Sequence, residues 1–239
     1  MTIGVLMLDT GFERFVGDIG NPKSFTMPVL HERIAGATVD LIVQAKEPVM
    51  VEPFIAGARR LIGRGAHAIT TGCGFLVLHQ AALAAALPVP VATSALMLIP
   101  LVARMLPPGR RVGVLTFSAK DLTPAHFAAA GASPDTPFEG VAEDGTFRRA
   151  LRGLPVNDSI EARERDVIAA ARALLLRHSG IGAIVLECTN FPPHRAAVSR
   201  ETGLPVFDIF TLIGMLNAAT SQEELGRFPC NTSVSAPPA

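Results

Sequence analysis

Two of the three cysteines in this 239-residue chain are placed where they could move protons. Cys73 follows a short apolar run within residues 68–75, AITTGCGF, and Cys188 stands at the same position within residues 183–190, AIVLECTN. A thiolate can take a proton from carbon next to a carboxylate, and a thiol on the opposite face can supply one. The pair predicts a cofactor-independent racemase or epimerase of an amino acid or related small carboxylate.

A thiol normally titrates near ~8.5, so such a site must favour the thiolate. Gly72-Cys73-Gly74 and Cys188-Thr189-Asn190 both come just before predicted helices, whose free N–H groups and dipole stabilise an anion. A lone cysteine at a strand end is more often an ordinary buried thiol, but the matched pair favours a joint catalytic role. Cys230 has no such setting, and we expect it to be incidental.

The two cysteines belong to an internal repeat of the sequence. Residues 3–10, 68–75 and 87–92 resemble residues 112–119, 183–190 and 203–208, in the same order. Three ordered matches indicate two related lobes. Ligands of open parallel sheets bind beyond the carboxyl ends of the strands, so the repeat predicts that both thiols face one cleft.

Short β-type runs alternate with helical patterns, which predicts parallel sheets. We expect lobe 1 in residues 1–100, lobe 2 in 101–208, a helix at 209–219 that packs back on lobe 1, and a loosely held tail at 220–239. The predicted strands are 3–8, 39–43, 68–71, 89–92, 112–116, 138–142, 184–187 and 205–207. The predicted helices are 53–64, 76–87, 95–106, 123–130, 158–178, 195–202 and 210–219.

Composition narrows the class of protein. About half of the residues are hydrophobic, 18% are charged and the formal net charge is zero, so bulk charge does not attract nucleic acid. Residues 68–103 lack Asp, Glu, Lys and Arg, but three prolines interrupt them, which argues against a membrane span. We expect a cytoplasmic enzyme. Without a CxxC motif and with only three lysines, we expect no metal, no Schiff base and no cofactor.

The two lobes and the two cysteine motifs resemble the aspartate/glutamate racemase superfamily, which also includes hydantoin racemases, maleate isomerases and arylmalonate decarboxylases. The resemblance covers residues 3 to about 219, and Glu187–Asn190, ECTN, is its more specific motif. Many racemases have Cys-Asn-Thr where this chain has Cys73-Gly74-Phe75. Glutamate racemases place His directly after Cys-Thr, where this chain has Asn190, with His194 further on. These departures leave the substrate open.

The resemblance implies an α/β fold of two pseudo-symmetric Rossmann-like lobes, each with a short, mostly parallel sheet flanked by helices, and an active site between the lobes. It implies an isomerase that needs no pyridoxal phosphate, acts on a small carboxylate and can form a homodimer. Asp9 could assist proton movement near Cys73 or bind an amino group, and any single Ser or Thr could instead cap a helix. The matching substrate-binding positions are Asp9, Thr10, Thr71, Gly74, Phe75, Thr116, Ser118, Thr189 and Asn190.

Other features remain open. Residues 17–29 either cover the cleft, with Asn21, Ser24 and Phe25 near substrate, or form a surface loop. His194 is either a partner of Cys188 or a solvated histidine at a helix start. Glu187 precedes Cys188 in a predicted strand, so we expect its side chain to point to the other face and to have no direct role.

Three other functions compete with racemisation. A maleate-type cis–trans isomerase is the runner-up, because its second motif resembles Cys-Thr-Asn. A malonate-type decarboxylase is disfavoured by Cys73, since that group has a non-thiol at the first position. A small-ligand sensor would use the thiols only to line the cleft.

Overall fold

The computed structural model of the protein describes residues 1–220. Cys230 and residues 221–239 of the predicted tail lie outside the described residues. Within residues 1–220, no helix combines the length and the hydropathy that crossing a bilayer requires.

The eight described strands form two separate four-stranded parallel sheets. The first has the order β2-β1-β3-β4 and the second the order β6-β5-β7-β8, so both sheets repeat one topology. This confirms the α/β fold of two related lobes. The strands are β1 Ile3–Met7, β2 Val29–Arg33, β3 Ala68–Thr71, β4 Val91–Ala92, β5 Arg111–Thr116, β6 Phe138–Gly140, β7 Ile181–Leu186 and β8 Val206–Phe207.

Helices and 3₁₀ turns connect the strands and cover the sheets. All five residues of β1 and all four of β3 are buried, as expected for parallel strands covered on both faces. The helices are α1 Val39–Gln44, α2 Val51–Gly63, α3 Gln80–Ala86, α4 Ile99–Met105, α5 Pro124–Ala129, α6 Thr146–Leu151, α7 Ile160–Arg177, α8 Arg195–Thr202 and α9 Ile209–Thr220. The 3₁₀ turns are Pro22–Ser24, Gly74–His79, Ala95–Leu98 and Pro192–His194.

Two elements of the first lobe differ from the sequence prediction. Residues 39–43 are helical in α1, where the Thr38 side chain caps the first turn by accepting the N–H of Leu41, 3.3 Å away. The edge strand next to β1 is β2, which follows the loop predicted for residues 17–29 and pairs with β1 in parallel. A short apolar run is compatible with a strand or a helix, and here the Thr38 cap favours the helix.

The two sheets are joined by contacts near the chain's midpoint and its C-terminal helix. The turn Ala95–Leu98 contacts both β7 and α9. Phe210 of α9 packs on Phe25, with ring centroids 5.2 Å apart. Residues that follow the carboxyl ends of β1, β3, β5 and β7 line one common cavity.

Candidate active site

A small cavity lies where these four strands end. Its volume is about 30 Å³, and both Cys73 and Cys188 line it. The remaining lining residues follow the same strand ends or belong to α1 and α6: Leu8, Thr10, Phe12, Arg14, Val39, Val43, Gly72, Gly74, Phe75, Phe117, Leu151, Glu187, Thr189 and Asn190. The duplicated strand ends thus bring two thiols, one carboxyl and one guanidinium to the same enclosed space.

Cys73 sits directly before the turn Gly74–His79, as the sequence predicted, and is 9% exposed. Burial and the charge of Glu187 raise the pKa of its thiol to about 12. The backbone N–H groups of Phe75 and Leu76 and the charge of Arg14 act in the opposite direction. Because the effect of burial is larger than that of these groups, Cys73 is a protonated thiol in the absence of substrate. The N–H donors that a thiolate needs are nevertheless in place.

Cys188 has a different environment. Its Sγ donates to Oδ1 of Asn190 at 3.7 Å, and Nδ2 of Asn190 donates to Oδ2 of Asp18 at 2.5 Å. Burial, followed by the charge of Glu187, raises the pKa of Cys188 well above its usual range. Because Asp18 fixes the Asn190 amide, its carbonyl oxygen faces the sulfur and favours the protonated thiol.

Arg14 is the one Lys, Arg or His among the residues that line this cavity. Its Nη1 donates to Oδ1 of Asp18 at 2.8 Å, and its Nη2 donates to Oγ1 of Thr10 at 2.9 Å. The guanidinium lies over the ring of Phe12, 4.3 Å from the centroid. Guanidinium has five N–H donors, so groups remain for a carboxylate. Sequence reasoning missed Arg14, because it comes from an irregular loop without a motif.

Glu187 also lines the cavity, so the expectation that its side chain points away is wrong. The alternation of side chains holds only inside a strand, and β7 ends at Leu186. The long side chain folds over the end of β5, where Oε2 accepts from Thr116 Oγ1 at 2.8 Å and from the Phe117 N–H at 3.2 Å. Within the described residues, Oε1 has no hydrogen-bond partner.

The carboxyl of Glu187 explains the glycine after Cys73. A Cβ at Gly74 would lie 2.2 Å from both Oε1 and the carbonyl oxygen of Glu187. No side chain fits there unless the backbone carbonyl of Glu187 moves as well as its carboxyl. Gly74 is thus required by the close approach of residue 187, backbone included.

Glu187 makes the folded protein less stable at neutral pH. Burial raises the pKa of its carboxyl to about 7, whereas an unfolded chain has a value near ~4.3. Between those values the folded state binds more protons, so its stability falls as pH rises, by on the order of 3 kcal/mol in all. We expect Glu187→Gln to raise the free energy of unfolding more at about pH 8 than at about pH 5.

Urea unfolding at the two pH values measures this difference, with Glu161→Gln on the exposed start of α7 as the matched control. The control should change stability equally at both pH values. If Glu187→Gln raises the free energy of unfolding by the same amount at both pH values, the pKa of Glu187 is not raised in the folded protein.

Several predicted site residues do meet at the cavity. They are Thr10, Cys73, Gly74, Phe75, Cys188, Thr189 and Asn190. Oγ1 of Thr189 donates to the carbonyl of Gly72 at 2.8 Å, which ties the end of β7 to the end of β3.

Other predicted residues lie outside the cavity lining but support it. Thr116 binds Glu187, as described above. Thr71 Oγ1 lies 2.9 Å from the Cys73 carbonyl and 2.6 Å from that of Thr93. Ser118 Oγ donates to Oδ2 of Asp121 at 2.6 Å. These hydroxyls are engaged by the protein itself, so the structure gives them no place against a ligand in this cavity.

The loop at residues 17–29 contributes Asp18 to the site rather than covering it. Asn21 Nδ2 donates to the carbonyl of Arg14 at 2.9 Å, and Ser24 Oγ donates to that of Asp18 at 2.8 Å. Phe25 packs on Phe210. The predicted contacts of Asn21, Ser24 and Phe25 with substrate are therefore replaced by contacts that hold Arg14 and Asp18.

Asp9 and His194 also differ from expectation. Asp9 Oδ1 accepts from Nε of Arg33 at 2.6 Å, and its Oδ2 accepts from the Gly36 N–H at 2.8 Å, on the exposed side of the loop. His194 is buried against Phe147 and lies 3.7 Å from Glu164. Burial lowers the pKa of His194, and the ring is not part of the cavity lining.

A larger cleft of about 700 Å³ lies beside the cavity, and four residues line both spaces: Thr10, Phe12, Val39 and Leu151. Nη2 of Arg152 pairs with Oδ1 of Asp40 at 2.9 Å, so an ion pair joins the second lobe to the first at this cleft. Among the described residues, no cluster of three or more His, Cys, Asp or Glu side chains could hold a metal ion.

No family model matches the chain. Sequence relatives include dimethylsulfoniopropionate lyase of Durusdinium sp. clade D, 27% identical over 215 residues, covering 87% of this chain and 71% of the relative. Dimethylsulfoniopropionate lyase 3 of Emiliania huxleyi is 28% identical over 229 residues, covering 91% of this chain. The chain spans only 59% of that second relative's length.

Solved structures with the same fold include three members of the Asp/Glu racemase superfamily. A variant of arylmalonate decarboxylase in a sulfate-associated form matches with a TM-score of 0.60 and 17% identity, covering 95% of this chain and 97% of that one. Glutamate racemase from Thermus thermophilus with β-chloro-D-alanine gives 0.56 and 20%, with coverages of 90% and 80%. Allantoin racemase from Pseudomonas fluorescens gives 0.55 and 16%, with coverages of 91% and 90%.

Proposed function

We propose that this chain removes the proton next to the carboxylate of a small zwitterion and eliminates a neutral leaving group, with dimethylsulfoniopropionate as the substrate. The observation that carries the proposal is the pair of buried thiols and one arginine around a single small cavity. The sequence relatives named dimethylsulfoniopropionate lyase support elimination as the outcome. The fold supports carbon-acid chemistry in general, since its solved members include racemases and a decarboxylase.

The cavity suits a molecule with one carboxylate and one soft cation. Arg14 can bind the carboxylate, in keeping with the affinity of guanidinium for that group. Phe75 and Phe117 line the rest of the space and offer aromatic faces to a sulfonium, as aromatic cages do to quaternary ammonium groups. The Glu187–Cys73 pair adds one negative charge when it has lost one proton. A dicarboxylic amino acid would bring a second carboxylate with no second cation to receive it.

The reaction balances with one thiolate and no cofactor. Cys73, as thiolate, takes the proton from the carbon next to the carboxylate and becomes a thiol. The electron pair of that C–H bond forms the carbon–carbon double bond, and the C–S bond breaks with its pair going to sulfur. The products are acrylate, neutral dimethyl sulfide and a proton that later passes to water.

We assign Cys73 as the base because two backbone N–H groups and Arg14 lower the pKa of its thiol. Only one backbone N–H, that of Asn190, lowers the pKa of Cys188, whose thiol also donates to the Asn190 side chain. Cys188 is then the group that stays protonated. It can stabilise charge as it develops on the substrate, and it would supply the proton if the reaction were an inversion.

Substrate binding requires the cavity to open. A volume of about 30 Å³ holds roughly one water molecule. The adjoining cleft of about 700 Å³ is the route in, and Thr10, Phe12, Val39 and Leu151 separate the two spaces. The Arg152–Asp40 pair joins the two sides that must part.

Racemisation is the second candidate, favoured by one specific observation. The two thiols come from different lobes and line the same space, which is what a proton transfer from one face and return to the other requires. In that case Cys188 would deliver a proton to the carbanion that Cys73 generates.

The test is to incubate the protein with dimethylsulfoniopropionate and measure dimethyl sulfide by headspace gas chromatography and acrylate by NMR. We expect both products in equal amounts. A panel of aspartate, glutamate, allantoin and maleate is run in deuterated water in parallel. Deuterium at the α-carbon of a recovered amino acid or hydantoin, without products from the sulfonium, would favour racemisation and overturn the lyase assignment.

A further inference from the structure

The Glu187 side chain is the least expected feature of the site. It is 1% exposed, lines the cavity with both thiols, and leaves Oε1 without a partner among the described residues. An unpaired buried carboxyl oxygen is unfavourable, so its retention calls for a reason. Replacing Glu187 with a neutral residue of similar shape would relieve that cost. The site therefore keeps an acid–base group that its packing does not need.

The unpartnered oxygen lies close to the backbone next to Cys73, although the Cys73 thiol makes no hydrogen bond to it. Oε1 lies against Gly74, the residue that follows Cys73, at the place where any side chain at position 74 would begin. Oε2 is held by Thr116 and by the Phe117 N–H, so the carboxyl cannot turn away freely. The missing side chain at Gly74 leaves room for the carboxyl and the backbone carbonyl of Glu187 directly beside the residue that follows Cys73.

Within residues 1–220, no Lys, Arg or His side chain pairs with Glu187. The thiols of Cys73 and Cys188 share its cavity, and Arg14 lines the same space but is engaged by Asp18 and Thr10. A cation that paired with Glu187 would fix the charge on the carboxylate. Without one, a negative charge can move between the carboxyl and a thiol. Other charged or titratable groups on the elements packed around this cavity include Asp18, Asp40, His79, Asp121, His126, Arg148, Arg149, Arg152 and His194.

From this geometry we propose that Glu187 is the proton acceptor that converts the Cys73 thiol into the reactive thiolate. The S–H bond of Cys73 breaks, its electron pair stays on sulfur, and the proton goes to Oε1. The inference rests on the proposed function for its biological use. After the thiolate has taken the substrate's proton, Glu187 gives its own proton to water that enters as products leave.

This pairing has a pH signature that a structural role would not have. When Glu187 and Cys73 share a single proton, that proton is either on sulfur or on the carboxyl. The ratio of these two states does not depend on pH, because both contain the same number of protons. The thiolate population of the wild type therefore rises up to the titration of Glu187, about pH 7, and then levels off. In Glu187→Gln no such plateau exists, and the thiolate rises about tenfold per pH unit until the thiol itself titrates.

The experiment measures the rate at which methyl methanethiolsulfonate converts the Cys73 thiolate to its methyl disulfide, with release of methanesulfinate, from about pH 5 to about pH 10. Mass spectrometry assigns the modified cysteine. We expect a plateau above about pH 7 in the wild type and in Glu161→Gln, and a continuous rise in Glu187→Gln. The conservative Glu187→Asp, which keeps the carboxyl but shortens its reach, should keep a plateau with a lower rate.

If the rate of Cys73 modification in Glu187→Gln also levels off above about pH 7, as in the wild type, the proposal is overturned. If that variant does not fold, the wild type alone still decides, because a wild-type rate that rises without a plateau through pH 7 also overturns it. The readout needs no substrate. A plateau without turnover of dimethylsulfoniopropionate would support the Glu187–Cys73 pair while removing the proposed lyase function.

Discussion

Cys73→Ala lowers kcat for elimination by at least about 10³-fold, because it removes the only group proposed to take the substrate's proton. Cys73→Ser keeps the size of the side chain but replaces the thiol with a far weaker acid, so the loss is similar. Substrate binding changes less, since Arg14 and the aromatic rings remain. Steady-state kinetics by dimethyl sulfide release measure kcat and KM separately, and thermal unfolding of both variants checks the fold.

Cys188→Ser is the matched comparison. Elimination moves one proton from the substrate and returns none, so this variant should retain more activity than Cys73→Ser. In a racemase both thiols move a proton in every turnover, and both variants would be inactive. Full kcat in Cys73→Ser, or equal and complete losses in the two variants, would contradict the assignment of Cys73 as the single base.

Arg14→Gln raises KM by about 10- to 100-fold, because a charge-assisted hydrogen bond to a carboxylate contributes about 1.5–3 kcal/mol. The change in kcat should be smaller. Removing the guanidinium charge also raises the pKa of Cys73, since Arg14 is among the groups that lower it. The thiolate fraction at a given pH therefore falls, which is the source of the smaller change in kcat.

Arg14→Lys is the control for charge alone. It keeps the positive charge but not the planar fork that binds Asp18 and Thr10, so an intermediate KM is expected. Because Asp18 loses a partner in both variants, unfolding free energies are measured as well. A KM that is unchanged in Arg14→Gln, in a variant that still folds, would place the substrate's carboxylate elsewhere.

The fold was largely predictable because similar apolar segments occur in the same order in the two halves of the sequence. The matched apolar runs ending at Cys73 and Cys188 correctly placed β3 and β7 as corresponding strands in two sheets of the same order. There were three exceptions: β2 and α6 were not predicted, and residues 39–43 form a helix instead of a strand. Five residues carry too little periodicity to separate a helix from a strand, and the deciding contact is the side chain of Thr38. The lobe boundaries at residues 100 and 208 stay a prediction.

The site was predictable only where a residue directly follows a strand. Cys73, Gly74, Cys188, Thr189 and Asn190 belong to that group, and all line the cavity. Arg14 and Asp18 belong to a loop. Arg14 is held by Thr10 and Asp18, and Asp18 is fixed in turn by a hydrogen bond from Asn190, 172 positions away. No local pattern encodes such contacts. For Glu187, the glycine at position 74 was the available signal, since a missing side chain indicates a close neighbour.

The most direct measurement of the central claim is the kinetic isotope effect on kcat/KM with dimethylsulfoniopropionate deuterated at the carbon next to the carboxylate. Transfer of that proton to Cys73 predicts a primary isotope effect, clearly above one, in the wild type. Deuteration of the carbon that bears the sulfonium should give only a small secondary effect. An isotope effect of one at the first carbon, together with unimpaired turnover by Cys73→Ser, would contradict thiol-dependent proton removal.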